Sequence, residues 1–360
     1  MRTTDLAPLL STPGPYATVF VDVSQDTETG RQEHDLHARE ACEQLARQGA
    51  DERAVAAVAE RLAEPVDRPA PVARLLVATG DGIAYDETAT AQVGRTVATW
   101  DALPDLGSWI AHRDAAVSFV LALVDHEGGE VTLHDSDVPE PELEIAAGGE
   151  ERFVHKVPTG GWAALHYQRT TENVWRRNAD AVVEEVQRLA QQGHRLVLLA
   201  GDPASVGMVR RGLEEGAASQ ANVVELPTGN RNADGGDEAL QEAIRSALLD
   251  HVVERRTAVV HRLREALGRG EGAATGVRDV ADAFVQGQVE TLLIDPQALA
   301  ELRLDPSAHP GLAFGAGQVD GEIRADEGLI AAALLTDADV VPLPQAALGT
   351  PVAALLRWAT

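Results

Sequence analysis

The chain has 360 residues, more than one hydrophobic core comfortably serves and enough for two or three domains. Hydrophobic residues make up 44% and aromatics only 4%, so the cores must be built from Ala, Val and Leu, and a single cysteine, Cys42, excludes an internal disulfide framework or a thiolate metal cluster. A formal net charge of −27 repels polyanions on average. No apolar run approaches bilayer-spanning length, and Met1–Asp5 lacks the basic-then-apolar order of a signal peptide, so a cytoplasmic location without membrane contact is the expectation.

The first third opens with the β-branched run 17–23, which reads as a strand. Two helical stretches follow, roughly 32–48 and 51–63, the second bounded by Pro65 and the Pro69/Pro71 cluster. Residues 74–79, the turn Gly80-Asp81-Gly82 and residues 83–85 form a strand-turn-strand hairpin. These glycines are turn formers, because no helix start follows them as a phosphate loop requires.

The middle third repeats the theme, with strand 117–125, turn 127–130 and return 131–134. An acidic, proline-containing stretch (138–151) leads to Val157-Pro158-Thr159-Gly160-Gly161-Trp162. A long helix then starts near 164–167 and runs to Gln192, with Gly193 as its stop. Trp175, Ala179, Val182, Val186 and Leu189 are spaced 4, 3, 4 and 3 along it, a buried stripe at helical period. Strand 195–200, a helix opened by Asp202-Pro203, strand 222–226 and a long helix from Asp237 to about Leu267 complete an alternating α/β pattern.

Glycines 268, 270 and 272 mark the next boundary. Helix 277–286, strand 289–294, a loop over 302–325, helix 326–336, the short strand 340–343 and a closing apolar segment read as a compact α/β/α unit. The expected fold class is α/β in three domains, over residues 1–114, 115–268 and 269–360, carrying net charges of −9, −10 and −8.

Charge is uneven inside the middle third. Ten acids and no Lys or Arg lie between Asp125 and Glu151. From Arg152 to Arg177 there are five bases (Arg152, Lys156, Arg169, Arg176 and Arg177) against one acid, Glu172, with His155 and His166 as further donors. Beyond a Debye length of ~8 Å the rest of the chain is screened, so this local +4 island can touch phosphate. A charge run of this kind is most often a solvated helix face. Gly160-Gly161 at its centre favours RNA, because glycine lets backbone N–H groups approach closely, while Trp162, Tyr167 and Trp175 offer stacking planes.

Three landmarks in order resemble the class-I release factor/Pelota superfamily, and more closely its bacterial members. They are Gly160-Gly161-Trp162 with its flanking Val154–Pro158, the strand-helix pair 195–212, and the C-terminal phrases 289–293 and 353–358. The resemblance implies a ribonuclease-H-like middle domain and an α/β/α sandwich at the C-terminus. It also implies binding of the ribosomal A site beside rRNA, and contact of the third domain with elongation factor Tu or a related GTPase. Members that hydrolyse peptidyl-tRNA carry Gln directly after the two glycines, and some bacterial members place Ser-Gln after Gly-Gly-Trp. Here those places are held by Trp162, and by Ala163 and Ala164, which can neither orient a water nor move a proton. The expectation is therefore a hibernation- or rescue-type factor that reads no codon, with a peptidyl-tRNA hydrolase acting through Gly160, Gly161 and Trp162 as the enzymatic alternative. No zinc spacing, Walker loop, dinucleotide fingerprint or nucleophile elbow is present, and neither a metal, a cofactor nor DNA is expected. Asp125 alone is placed as a metal-nuclease carboxylate would be, and an acid there more often forms a turn.

Overall fold

The computed structural model describes residues 6–137, 141–148, 162–216, 220–227, 236–317 and 319–358, with backbone alone at 28, 162–173 and 236–237. It is a mixed α/β structure with several sheets. Two compact units emerge, one formed by Met1–Ala115 with Glu254–Thr360, the other by Ala116–Val253.

In the first unit, strand β1 (Tyr16–Asp22) is followed by helices α1 (Glu28–Arg47) and α2 (Glu52–Ala63), then by strands β2 (Ala73–Thr79), β3 (Gly82–Ala89) and β4 (Val97–Asp101) and helix α3 (Gly107–Ala115). The four strands form an antiparallel sheet in the order β3-β2-β1-β4. Thr27 and Asp51 accept backbone N–H bonds at the starts of α1 and α2, satisfying donors that a helix start leaves open. Alternation along β1 explains why the sheet is covered twice. Ala17, Val19 and Val21 pack on Ala41, Leu45, Val58 and Leu62 of α1 and α2, whereas Tyr16 and Phe20 join a core with Trp109 and Ile110 of α3.

The second unit contains β5 (Ser118–Asp125), β6 (Gly128–Asp135), β7 (Leu143–Gly148), α4 (Trp162–Gln191), β8 (Leu196–Gly201), α5 (Pro203–Glu215) and β9 (Asn222–Glu225), then the start of α6 (Gly236–Arg269). Its sheet runs β7-β6-β5-β8-β9, antiparallel among the first three strands and parallel from β5 to β9. Val120, Ala122 and Val124 pack on Val182, Val186 and Leu189 of α4 and Val209 of α5. Phe119 and Leu121, pointing the other way, pack with Ala247 and Val252 of α6. Strand β7 lies inside the acidic stretch that the sequence reads as a connection. Leu143, Ile145 and Ala147 supply its period-two pattern between exposed Glu144 and Ala146, an edge strand with half its residues in water.

The first unit is completed by β10 (Ala273–Thr275), α7 (Val277–Val285), β11 (Val289–Ile294), α8 (Pro296–Ala300), β12 (Arg303–Leu304), β13 (Ile323–Arg324), α9 (Ala325–Leu335), β14 (Asp339–Pro342), α10 (Gln345–Leu348) and β15 (Val352–Leu356). The order β10-β15-β11-β14 inserts the last strand into the middle of its sheet. One face (Leu293, Val341, Ala353) meets Val260 and Leu263 of α6, and the other (Leu292, Val340, Ala354) meets Phe284 of α7 and Leu329 of α9. That second face belongs to the same core as Phe20 and Trp109, so the first and last stretches of the chain share one interior. Cys42 sits half-buried on α1 as a free thiol, its pKa pushed up by burial. Among the described residues no helix is long and apolar enough to cross a membrane.

Candidate nucleic-acid interface

The cationic island maps onto α4 and the residues before it. Arg152, His155, Lys156, Gly160 and Gly161 lie outside the described residues, and Trp162, His166 and Arg169 are described as α4 backbone only. Arg176 and Arg177 are described in full. Both are exposed, and neither has an ion-pair partner among the described residues. In the same unit Arg188, Arg210 and Arg245 pair with Glu185, with Glu214 and Glu225, and with Glu242 respectively, whereas exposed Arg195 and Arg211, like Arg176 and Arg177, form no ion pair among the described residues.

Sequence dictates how α4 presents them. Its 30 residues extend about 45 Å at 1.5 Å per residue. Asn178, Ala179, Val182, Val186 and Leu189 are buried on the face toward the sheet, which turns Arg176 and Arg177 to solvent. Gly193, at φ 109°, ends the helix in a conformation that a side chain would strain.

Beside the two arginines the indole of Trp175 stacks on the imidazole of His126, with ring centroids 4.2 Å apart and 16° between planes. His126 belongs to the β5–β6 turn, which Asp125 builds by accepting the backbone N–H groups of Glu127 and Gly128 at 2.8 and 3.1 Å. Buried Asn178 donates to the His126 carbonyl at 3.1 Å and ties that turn to α4. On the far side, His126 Nδ1 lies 3.4 Å from Ser205 Oγ and 3.6 Å from Asp202 Oδ2. Asp202 caps α5 by accepting Ser205 N–H at 2.9 Å, with Pro203 at the first helical position. Burial works against its ionisation, but the Ser205 hydrogen bonds and the neighbouring His126 outweigh it and hold the carboxyl below the usual range. Gly201 permits the strand-to-helix turn, since a Cβ there would stand 2.0 Å from the Val124 carbonyl oxygen.

The carboxyl ends of parallel β5 and β8 thus bring His126, Asp202, Ser205 and Trp175 together, at the strand where the sheet order reverses. Open α/β sheets place ligands at such a reversal. The arrangement offers two guanidinium groups for phosphate and a half-exposed aromatic pair on which a base can stack, the combination by which single-stranded RNA is held. Among the described residues no group of three His, Cys, Asp or Glu side chains is placed to hold a metal ion. His126, Asn178 and Ser205 were not singled out by sequence reasoning. The available signal was the Asp202-Pro203 cap, which fixes where β8 ends and therefore what faces it.

Residues 118–269 match the model of bacterial archaeo-eukaryotic release factor family 2, a span that begins with the first residue of β5 and ends with the last residue of α6. An uncharacterized protein of Mycobacterium tuberculosis is 26% identical, covering all of this chain and 97% of its own length. A Pelota homolog of Natronomonas pharaonis is 27% identical over 140 residues, 37% of this chain and 39% of that one. Of solved structures, Archaeoglobus fulgidus Pelota matches with 14% identity and a TM-score of 0.35, covering 99% of this chain and 92% of its own. Ribosome-bound archaeal Pelota, in a structure with ABCE1, matches with 16% identity and a TM-score of 0.44, covering 99% and 94%. Over residues 118–269 the chain is thus similar to the bacterial archaeo-eukaryotic release factors, and over about a third of its length to a Pelota homolog.

Proposed function

We propose that this chain is a ribosome-associated translation factor that occupies the A site of idle or stalled ribosomes in the cytoplasm without reading a codon. The observation that carries the reading is the release-factor match over residues 118–269, which falls on the unit whose long helix displays the exposed Arg176 and Arg177. In a chain of net charge −27, exposed bases that form no ion pair among the described residues are candidates to meet RNA phosphate. Arg152, His155, Lys156, His166 and Arg169 extend the same island toward Gly160 and Gly161, which bring the backbone close to rRNA. The strand order β7-β6-β5-β8-β9 supports a ribonuclease-H-like reading of the middle domain. Helices on both faces of the β10-β15-β11-β14 sheet support an α/β/α third domain, and we propose this part as the one that contacts elongation factor Tu or a related GTPase.

The test is co-sedimentation with 70S ribosomes, comparing the wild type with the triple charge reversal K156E/R169E/R176E. Loss of at least tenfold in affinity, steeper at low salt, is the expected result. Unchanged affinity removes the RNA-binding role of the island. The hydrolytic alternative rests on Gly160-Gly161, with Trp162, Ala163 and Ala164 after it. It predicts release of labelled peptide from peptidyl-tRNA on ribosomes, abolished by substituting both glycines. The factor proposed here binds those ribosomes and leaves the ester intact.

A further inference from the structure

A cleft of about 270 Å³ opens on the first unit, far along the chain from the α4 arginines. The stiff segment Pro13-Gly14-Pro15 forms one wall, Asp51 and Asp81 supply two carboxylates, and Trp100 supplies an indole. Each wall is held by the fold. Trp100 lies on β4 opposite Ala17 of β1, and its backbone N–H donates to Gln48 Oε1 at 2.9 Å. Gln48 in turn donates to the Ala98 carbonyl at 2.9 Å, fixing β4 against the end of α1. Asp51 is anchored as the cap of α2, its Oδ1 accepting Arg53 N–H at 2.8 Å. Asp81 sits in the β2–β3 turn, where its own backbone N–H donates to Thr79 Oγ1 at 3.3 Å. Both carboxylates are exposed, and neither has an ion-pair partner among the described residues. Elsewhere in this unit Asp86 and Asp114 each draw an arginine.

We propose that this cleft binds the guanidinium of an arginine presented by a basic protein segment. The planar guanidinium stacks on the Trp100 indole while Asp51 and Asp81 neutralise its charge. The chemistry selects that occupant on three counts. An aromatic face beside carboxylates attracts a cation and rejects phosphate. A planar, weakly hydrated guanidinium both stacks and bridges two carboxylates, which a compact ammonium cannot do. The volume lies below the range of drug-sized ligand sites and suits one side chain. The acidic body around it draws a polycationic chain toward the surface before the cleft takes one residue of it.

The test uses the full chain, 15N-labelled, titrated without ribosomes by a tryptophan-free peptide of alternating glycine and arginine while the indole N–H resonances are followed. The Trp100 resonance should shift saturably while that of buried Trp109 stays in place. Replacing arginine by the neutral isostere citrulline should abolish the shift, and replacing it by lysine should weaken binding at least threefold. Asp51→Ser keeps the helix cap while removing the charge, and with Asp81→Asn it should weaken binding about three- to fivefold per substitution. An unmoved Trp100 resonance, equal affinity in both variants, or an equal response to spermine overturns the proposal. Because no ribosome is present, such a failure leaves the reading of the α4 arginines standing.

Discussion

Arg324 in the first unit and Arg176–Arg177 in the second put the same chemical group to opposite uses. Arg324 is enclosed. It donates to Asp105 at 2.9 Å and to both oxygens of Asp326 at 3.1 and 2.6 Å, with Glu327 3.4 Å away, and these acids come from the β4–α3 connection and the start of α9. Arg176 and Arg177 face water with no acidic partner among the described residues. Burial among carboxylates, and not the absence of an ion pair by itself, is what distinguishes Arg324 from the exposed Arg176 and Arg177. Position on the outside face of a helix separates the two cases, and residue type does not.

Removing the enclosed charge should have the largest effect. Arg324→Leu leaves Asp105 and Asp326 buried without a counter-charge, and breaking one side of a buried ionic group costs about 3–5 kcal/mol. Thermal or urea unfolding should therefore show a large loss of stability, centred on the core that the first and last stretches of the chain share. A loss below about 1 kcal/mol would mean that water reaches the cluster and that the enclosure is not real.

Glu327 sharpens the contrast from the other side. Both of its carboxyl oxygens are buried and accept no hydrogen bond among the described residues. Burial first, then the charges of Asp101, Asp105 and Asp326, push its pKa up to about 9 against the attraction of Arg324. The folded chain therefore keeps a proton that the unfolded chain gives up near its ordinary value of 4.5. Stability is complete below that value and falls as pH rises toward 9, by up to about 1.4 kcal/mol per pH unit. Glu327→Gln has no proton to lose, so it should gain on the wild type between pH 5 and 8 when the two are unfolded in parallel. Parallel curves across that range would place the carboxyl in contact with solvent.

Much of this contrast was invisible in the sequence, for reasons of range. Local period exposed β1, the β2–β3 and β5–β6 hairpins, and the apolar stripe of α4, because each is written within fewer than twenty consecutive residues. It missed β4, whose five residues Val97–Asp101 alternate too briefly, and β12–β13, whose two-residue strands carry no period at all. A division of the chain into three stretches could not say that Phe20 and Leu329 share a core, since nothing near either residue encodes the other. At the candidate interface, Arg176 and Arg177 could be read from charge alone. The stacking of His126 on Trp175 joins positions 49 apart and arises only when α4 docks across the β5–β6 turn. Arg324 likewise lies within a stretch that the sequence reads as loop, so its burial among acids could not be foreseen.

The smallest expected effect on the fold is also the one that bears most on function. Arg176→Gln with Arg177→Gln removes two exposed charges that hold nothing together among the described residues, so stability should stay within about 0.5 kcal/mol of the wild type. If both guanidinium groups meet phosphate, the slope of log affinity for ribosomes against log salt should flatten by about 0.7–0.9 for each arginine replaced, or roughly 1.5 for the pair. A uniform fall in affinity with no change of slope would point to disturbed helix packing. An unchanged affinity and slope would mean that the face is merely solvated, and Arg176 and Arg177 would then differ from Arg324 in exposure without differing in use.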